Sequence, residues 1–288
     1  MATMAQVGWN SANLHVDQSI IDFMDVFYGP AQQGLIGAYT TLHTTARFLE
    51  STWNRQPSKV RGPAYGNSRG KGPVGRVDLT LEPPVLPRLP ELRRASDFRT
   101  RHQRWINELP SHLRDNEVLI RTLLGNLGRV ERNRYNLEVL LSLARFMGHH
   151  LVRLDAMEKV DADLDLAEDS NAAGQPGDAL AMLRRATARV EEVIEDQRSV
   201  FAGLQGTWEK SRHPRNAPAG GRTFLHVMDD VKDHFADRRP DLSYLNAPED
   251  SMDLPAYLDA LREIIRQYGT LYGAGHTVVK AHEPPPME

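Results

Sequence analysis

The sequence predicts an all-α fold, an elongated helical bundle with a long antiparallel helical hairpin and a long Gly/Pro-rich strap loop. Three observations predict it. Apolar residues recur at three- and four-residue spacing through most of the chain. Two of these patterns are long and are separated by a tight Gly-Pro turn. No run of alternating strands and helices is present. The 288 residues suffice for one sizeable core, and the chain reads as one helical domain over 1–288. Within it, 1–16 is strand-like, 54–95 is a loop and 269–288 is a frayed tail.

The first helix follows Asp17, a predicted N-cap, carries Ile20, Met24 and Phe27, and ends at Tyr28-Gly29-Pro30. A second pattern runs from Leu35 through Tyr39, Leu42, Ala46 and Leu49 to Trp53. From Asn54 to Ala95 glycine and proline are too frequent for a helix, and the stretch reads as a strap or as a ligand loop carrying Tyr65, Asn67, Ser68, Arg69 and Lys71. Its glycines and lysine do not meet the phosphate-loop spacing.

Helical signal resumes at Ser96 or Asp97 and is expected to stop at Pro110, which lacks an amide proton. A longer helix is then expected from near Asp115 to Leu164, with Gly125 and Gly128 able to bend it but nothing clearly ending it before AEDSNAAGQPG. The next pattern starts after Gly177 and reaches Trp208. Phe224, Met228, Val231 and Phe235 belong to a helix or extended segment that Arg239-Pro240 closes. Asp253 caps the last clear helix, with Pro255 in its first turn and Leu258, Leu261 and Tyr268 on its inner face.

Thirty-five basic and 38 acidic residues leave a formal net charge of -3, so the whole surface is not that of a nucleic-acid binder. Without cysteine, disulfides, thiolate metal sites and a cysteine nucleophile are excluded. No stretch reaches the roughly 20 apolar residues that cross a bilayer, and the N-terminus lacks a basic region followed by an apolar run. The expectation is a soluble chain without a signal peptide, cytoplasmic by default, binding neither membrane nor nucleic acid.

Polar and aromatic residues crowd between Glu191 and Tyr268. Trp208 and the run Arg238-Arg239-Pro240 suit a sugar or carboxylate through stacking and bidentate bonding, and the predicted ligand residues are Trp208, Arg212, Arg222, His226 and Tyr244. An intramolecular lattice would use the same chemistry. His226, Asp230 and His234 have a metal-like spacing, but on a helix the outer pair lies about 12 Å apart, so one ion could take two of them and not three. No metal and no cofactor is expected. The adjacent pairs Asp229/Asp230 and Glu249/Asp250 do not give opposed carboxylates, because neighbours on a helix point about 100° apart. His149-His150 faces two directions and reads as one partly buried and one exposed imidazole. The polar group around Tyr135 and Glu138 should find its partners in neighbouring side chains.

Two pieces of text carry a resemblance. GWNSANLHVDQSIIDFMDVFYGP resembles the end of a catalytic barrel. LQGTWEKSRHPR, RTFLHVMDDVKDHFADRRPDLSYL and APEDSMDLPAYLDALREIIRQY resemble the helical region that follows the barrel in bacterial glycoside hydrolases similar to the hexosaminidases of glycoside hydrolase family 20. The resemblance implies a non-catalytic accessory module that packs on a glycoside hydrolase barrel and helps close a carbohydrate pocket. The barrel's strand-helix alternation and its Asp-Glu acid pair are missing from this sequence, so no catalytic residue is carried over to any position. The alternative is a helical scaffold that binds protein through the grooves of its long hairpin. An exposed apolar stripe between Leu119 and Met157 would favour the scaffold, and a concave pocket at Trp208 would favour the accessory module. A metal-dependent enzyme is the third class.

Overall fold

The computed structural model describes residues 15–52, 82–211, 218–219, 222–223 and 252–272. The fold is an all-α bundle. Its helices are α1 (Val16–Tyr28), α2 (Leu35–Thr52), α3 (Phe98–Leu127), α4 (Arg134–Ala172), α5 (Pro176–Glu209) and α6 (Leu254–Tyr272). Two short strands, β1 (Pro218–Ala219) and β2 (Arg222–Thr223), pair antiparallel and do not alter the class.

The chain divides into two compact units. The first comprises 1–82, 104–154 and 195–252; the second comprises 83–103, 155–194 and 253–288. The boundaries fall inside α3, α4 and α5, so each of these helices contributes to both units.

In the first unit, α1 and α2 bury Met24, Tyr28, Leu35 and Ala38 against Leu119 and Leu123 of α3 and Leu137 and Leu141 of α4. Full burial of one such side chain is worth about 1.5–3 kcal/mol, and this apolar face fixes the two short helices. Gly29, at φ +99, ends α1 in a conformation that side chains rarely adopt. Asn126, almost wholly buried, staples the α1–α2 turn. It donates to Gln33 O (2.7 Å) and Thr122 O (2.8 Å) and accepts from Gln33 N (2.8 Å). In this unit α4 and α5 run antiparallel, since Tyr135 bonds Thr207 and Ser211, Glu138 pairs Lys210 and His149 pairs Asp196. The polar group at Tyr135 and Glu138 is thus satisfied by its neighbours.

The second unit is built on a different principle. Its helix faces bury Met157, Val160 and Leu164 from α4, Leu183, Ala186 and Val190 from α5, and Leu258 and Leu261 from α6. Residues 83–97 form a strap whose Leu92 is fully buried. Asp161 binds Arg94 at 2.7 Å and Arg99 at 3.1 Å, and also accepts from Ser96. Asp165 pairs both arginines. Two residues along, Asp163 pairs Arg185 (2.5 Å) and Arg189 (2.8 Å) of α5. The α4–α5 connection is only three residues, with Gly174 at φ +74 and Pro176 opening α5.

Several boundaries differ from those expected. Pro110 lies inside α3 and does not end it. Buried Trp105 and Leu109 before it and Leu119 after it hold one continuous helix, and Ser111 Oγ caps the Glu108 carbonyl at 2.7 Å. The helix expected from Asp115 to Leu164 is two helices, broken at 128–133. There the backbone amide of Glu131 donates to Tyr28 O at 2.9 Å, and Asn133, at φ +52, donates to Phe27 O. Tertiary bonds to the end of α1 compensate for the lost helical ones. His15, not Asp17, occupies the N-cap of α1. The helix α6 continues through Gly269 to Tyr272, which removes the first four residues from the expected tail. Asp253 does cap it, accepting from Ala256 N at 3.4 Å. Among the described residues no helix is long and apolar enough to cross a membrane.

Candidate functional site

Of the predicted ligand residues, only Trp208 has a described side chain. Trp208 is 40% exposed at the end of α5. Arg222 lies in β2, where only the backbone is described. Arg212, His226 and Tyr244 fall outside the described residues, as do Asp230, His234 and the loop residues Tyr65 to Lys71. Among the described residues no group of three or more His, Asp or Glu could hold a metal ion.

A groove of about 1000 Å³ lies wholly within the first unit, between one face each of α3, α4 and α5. From α3 come Leu113, Asn116, Ile120, Leu124 and Leu127; from α4, Leu141, Arg145, His149 and Val152; from α5, Asp196, Val200, Leu204 and Thr207, with Lys210 just past its end. Spacings of three, four and seven put each set on one helix face. Each wall spans about 14 residues, or roughly 21 Å at 1.5 Å per residue.

Two nearly buried side chains that line this groove each carry a buried polar atom without a hydrogen-bond partner. Asn116 is 4% exposed, and its Oδ1 has no hydrogen-bond partner. This differs from Asn126, three turns along the same helix, whose amide is fully engaged. An orphaned buried acceptor costs about 1–3 kcal/mol, which a purely structural asparagine would avoid.

His149 is 2% exposed and shares its Nδ1 with Asp196 Oδ2 at 2.7 Å. Burial lowers its pKa; the Asp196 hydrogen bond opposes the shift and the Arg153 charge adds to it. The ring is therefore neutral near pH 7. A carboxylate can only accept, so Nδ1 carries the proton and Nε2 presents a bare lone pair, and Nε2 is without a partner. Both orphaned atoms are acceptors. Glu138 on the same wall is engaged by Lys210 (2.7 Å) and Arg134 (3.4 Å), and these cations hold its carboxyl below the usual range.

Gly148 lets the Asn116 amide lie close against α4. A Cβ there would lie 2.5 Å from Asn116 Nδ2, closer than side chains tolerate. Gly148→Ala should therefore displace the Asn116 amide. Alanine gains about 1 kcal/mol of helix propensity over glycine, which offsets the strain. Net stability by denaturant titration should change by less than about 1 kcal/mol, while ligand affinity at the groove falls.

Both adjacent histidines are buried, contrary to the expectation of one exposed ring. Neither points to solvent, because each has its own partners. His150 is fully buried, with Arg153 donating to its Nδ1 at 2.7 Å and its Nε2 bonded to Thr52 Oγ1 at 2.5 Å. An arginine cannot accept, so the His150 proton sits on Nε2.

The set Asn116, His149 and Asp196 was not legible beforehand. The three residues lie on three different helices, and the available signal was a polar residue on an otherwise apolar helix face, as at Asn116 between Leu113 and Ile120. His149 with Asp196 forms the oriented-base half of a nucleophilic arrangement, but among the described residues no hydroxyl bonds to Nε2. The geometry suits holding a donor more than breaking a bond. No family model, no curated protein and no solved structure matches this chain.

Proposed function

We propose that the chain is a non-catalytic helical interaction module whose first-unit groove receives an amphipathic helix of a partner protein. One observation carries this reading: the groove is a trough of three helix faces whose aliphatic residues recur at helical spacing between polar and charged ones, with no Phe, Tyr or Trp among the described residues that line it. An amphipathic helix docks by inserting residues at i, i+3, i+4 and i+7 between such ridges. Sugar faces favour an aromatic platform, and Trp208 is not part of the lining. Of the two features that discriminate the sequence-based readings, the apolar stripe between Leu119 and Met157 has its counterpart in Ile120, Leu124, Leu127, Leu141 and Val152.

The resemblance to the helical region after a hexosaminidase-type barrel supplies a compatible partner. The outer layer of such a barrel is a ring of amphipathic helices, so an accessory module of a carbohydrate-active enzyme would present this groove to one of them.

Calorimetry tests the reading with a helical peptide of about 14 residues, long enough to fill the walls, carrying leucine at one face and alanine, glutamate and lysine elsewhere. Saturable binding is expected. Heat from oligosaccharides or amino sugars, with none from the peptide, would replace the helix by a glycan as the occupant.

A further inference from the structure

We propose that the Asn116–His149–Asp196 end of the groove is a socket for a primary alkylammonium, the side chain of a lysine on the docked helix. This rests on the helix-docking reading and specifies the chemistry of the partner. Asn116 Oδ1 and His149 Nε2 are both acceptors without a donor, and both belong to side chains almost entirely out of water. Asp196 adds a carboxylate whose only described bond is to the His149 ring.

The matching group needs at least two donors, no acceptor of its own and a positive charge. A hydroxyl brings one donor. A carboxamide brings two donors but also a carbonyl that would itself need a partner. An ammonium brings three donors, no acceptor and the charge that complements Asp196. Ile120, Val152 and Val200 line the same groove and can cover the four methylenes of a lysine stem. A quaternary ammonium is a poor fit, since it has no N–H donor and its binding relies on aromatic faces. Gly148, next to His149 in the sequence, is the position that admits the Asn116 amide against α4.

The test is fluorescence anisotropy on the full chain with three versions of one labelled amphipathic peptide, bearing lysine, norleucine or glutamine at the central apolar-face position. Charge-assisted hydrogen bonds predict that the lysine peptide binds at least about tenfold tighter than the norleucine peptide, with glutamine between them. On Asn116→Leu this advantage should shrink while norleucine binding holds or improves. Because the variant loses an orphaned acceptor, its Tm should not fall. If Asn116→Leu does not fold, Asn116→Ala serves, and the comparison of peptides on the unaltered chain stands without either variant.

Equal affinity for lysine and norleucine peptides would overturn the socket and leave helix docking intact. Equal affinity for lysine and glutamine peptides would overturn the ammonium assignment. Binding of none of the three would overturn docking and socket together. Binding of free n-hexylamine that survives while every peptide fails would assign the socket to a small amine and overturn the lysine.

Discussion

Asp161→Ala unfolds or severely destabilises the second unit, at a cost of about 3–5 kcal/mol, whereas Asp163→Ala, two residues away, costs about 1 kcal/mol or less. Both carboxylates are buried and each binds two arginines, so sequence position and contact number do not separate them. Burial of the partners does. Arg94 has a side chain 0% exposed, and removal of Asp161 leaves that guanidinium in the interior with only Asp165 as a charged partner. Arg185 and Arg189 are 44% and 31% exposed, so after loss of Asp163 they rehydrate without rearrangement. Arg94 also ties the strap to α4, donating to the Asp161 backbone carbonyl and to Val85 O at 3.3 Å. Denaturant melts of both variants check the contrast, and similar losses for the two would contradict it. Because the contacts are confined to the second unit, peptide binding by the first-unit groove should survive in any folded fraction of Asp161→Ala.

Stability falls steeply with acid below pH 6.5. Three histidines are buried in states that resist protonation. Burial pushes His102 down to about 4, with the Arg101 charge adding to the effect. Burial lowers His149, and it holds His150 well below the usual histidine value, with Arg153 beside it opposing a second positive charge. In each case the folded pKa lies below the unfolded value of about 6.5. The contribution to stability is therefore fully present above that value and is lost as pH falls towards the folded pKa, because the unfolded chain takes up protons that the folded chain refuses. Each histidine adds a slope of about 1.4 kcal/mol per pH unit within its window, which for His102 runs from about 6.5 to about 4. Denaturant midpoints measured between pH 7 and pH 4 should fall with a slope approaching three protons. His102→Gln should reduce that slope by one. A stability flat from pH 6.5 to pH 5 would contradict the burial of these rings.

The fold was largely legible because amphipathic period survives wherever a helix has one buried face. Leu119 and Leu123 mark the face of α3, and Leu183, Ala186 and Val190 that of α5. Errors arose where local signals competed with tertiary ones. Pro110 reads as a stop by itself, yet the apolar residues on both sides continue the same helix face. The break at 128–133 reads as a bend because the bonds that compensate it come from Tyr28 and Phe27, about a hundred residues earlier.

The candidate site was less legible for a related reason. Clusters of polar residues close in sequence, such as those from Trp208 onward, draw attention, whereas Asn116, His149 and Asp196 lie on three different helices, far apart in sequence. His149 and Asp196 are 47 positions apart and meet only because α4 and α5 run antiparallel. The tandem His149-His150 was visible, but nothing in the sequence distinguished the ring bonded to Arg153 from the one whose Nε2 has no partner.

The central claim is that the first-unit groove is the surface that receives a helix. Methyl spectra of the chain labelled at isoleucine, leucine and valine, titrated with the lysine peptide, test it most directly. Shifts are expected among the groove methyls of Leu113, Ile120, Leu124, Leu127, Leu141, Val152, Val200 and Leu204, with Leu183 and Leu258 of the second unit unmoved. Saturable binding that leaves these groove methyls in place, or that moves the second-unit methyls instead, would contradict it.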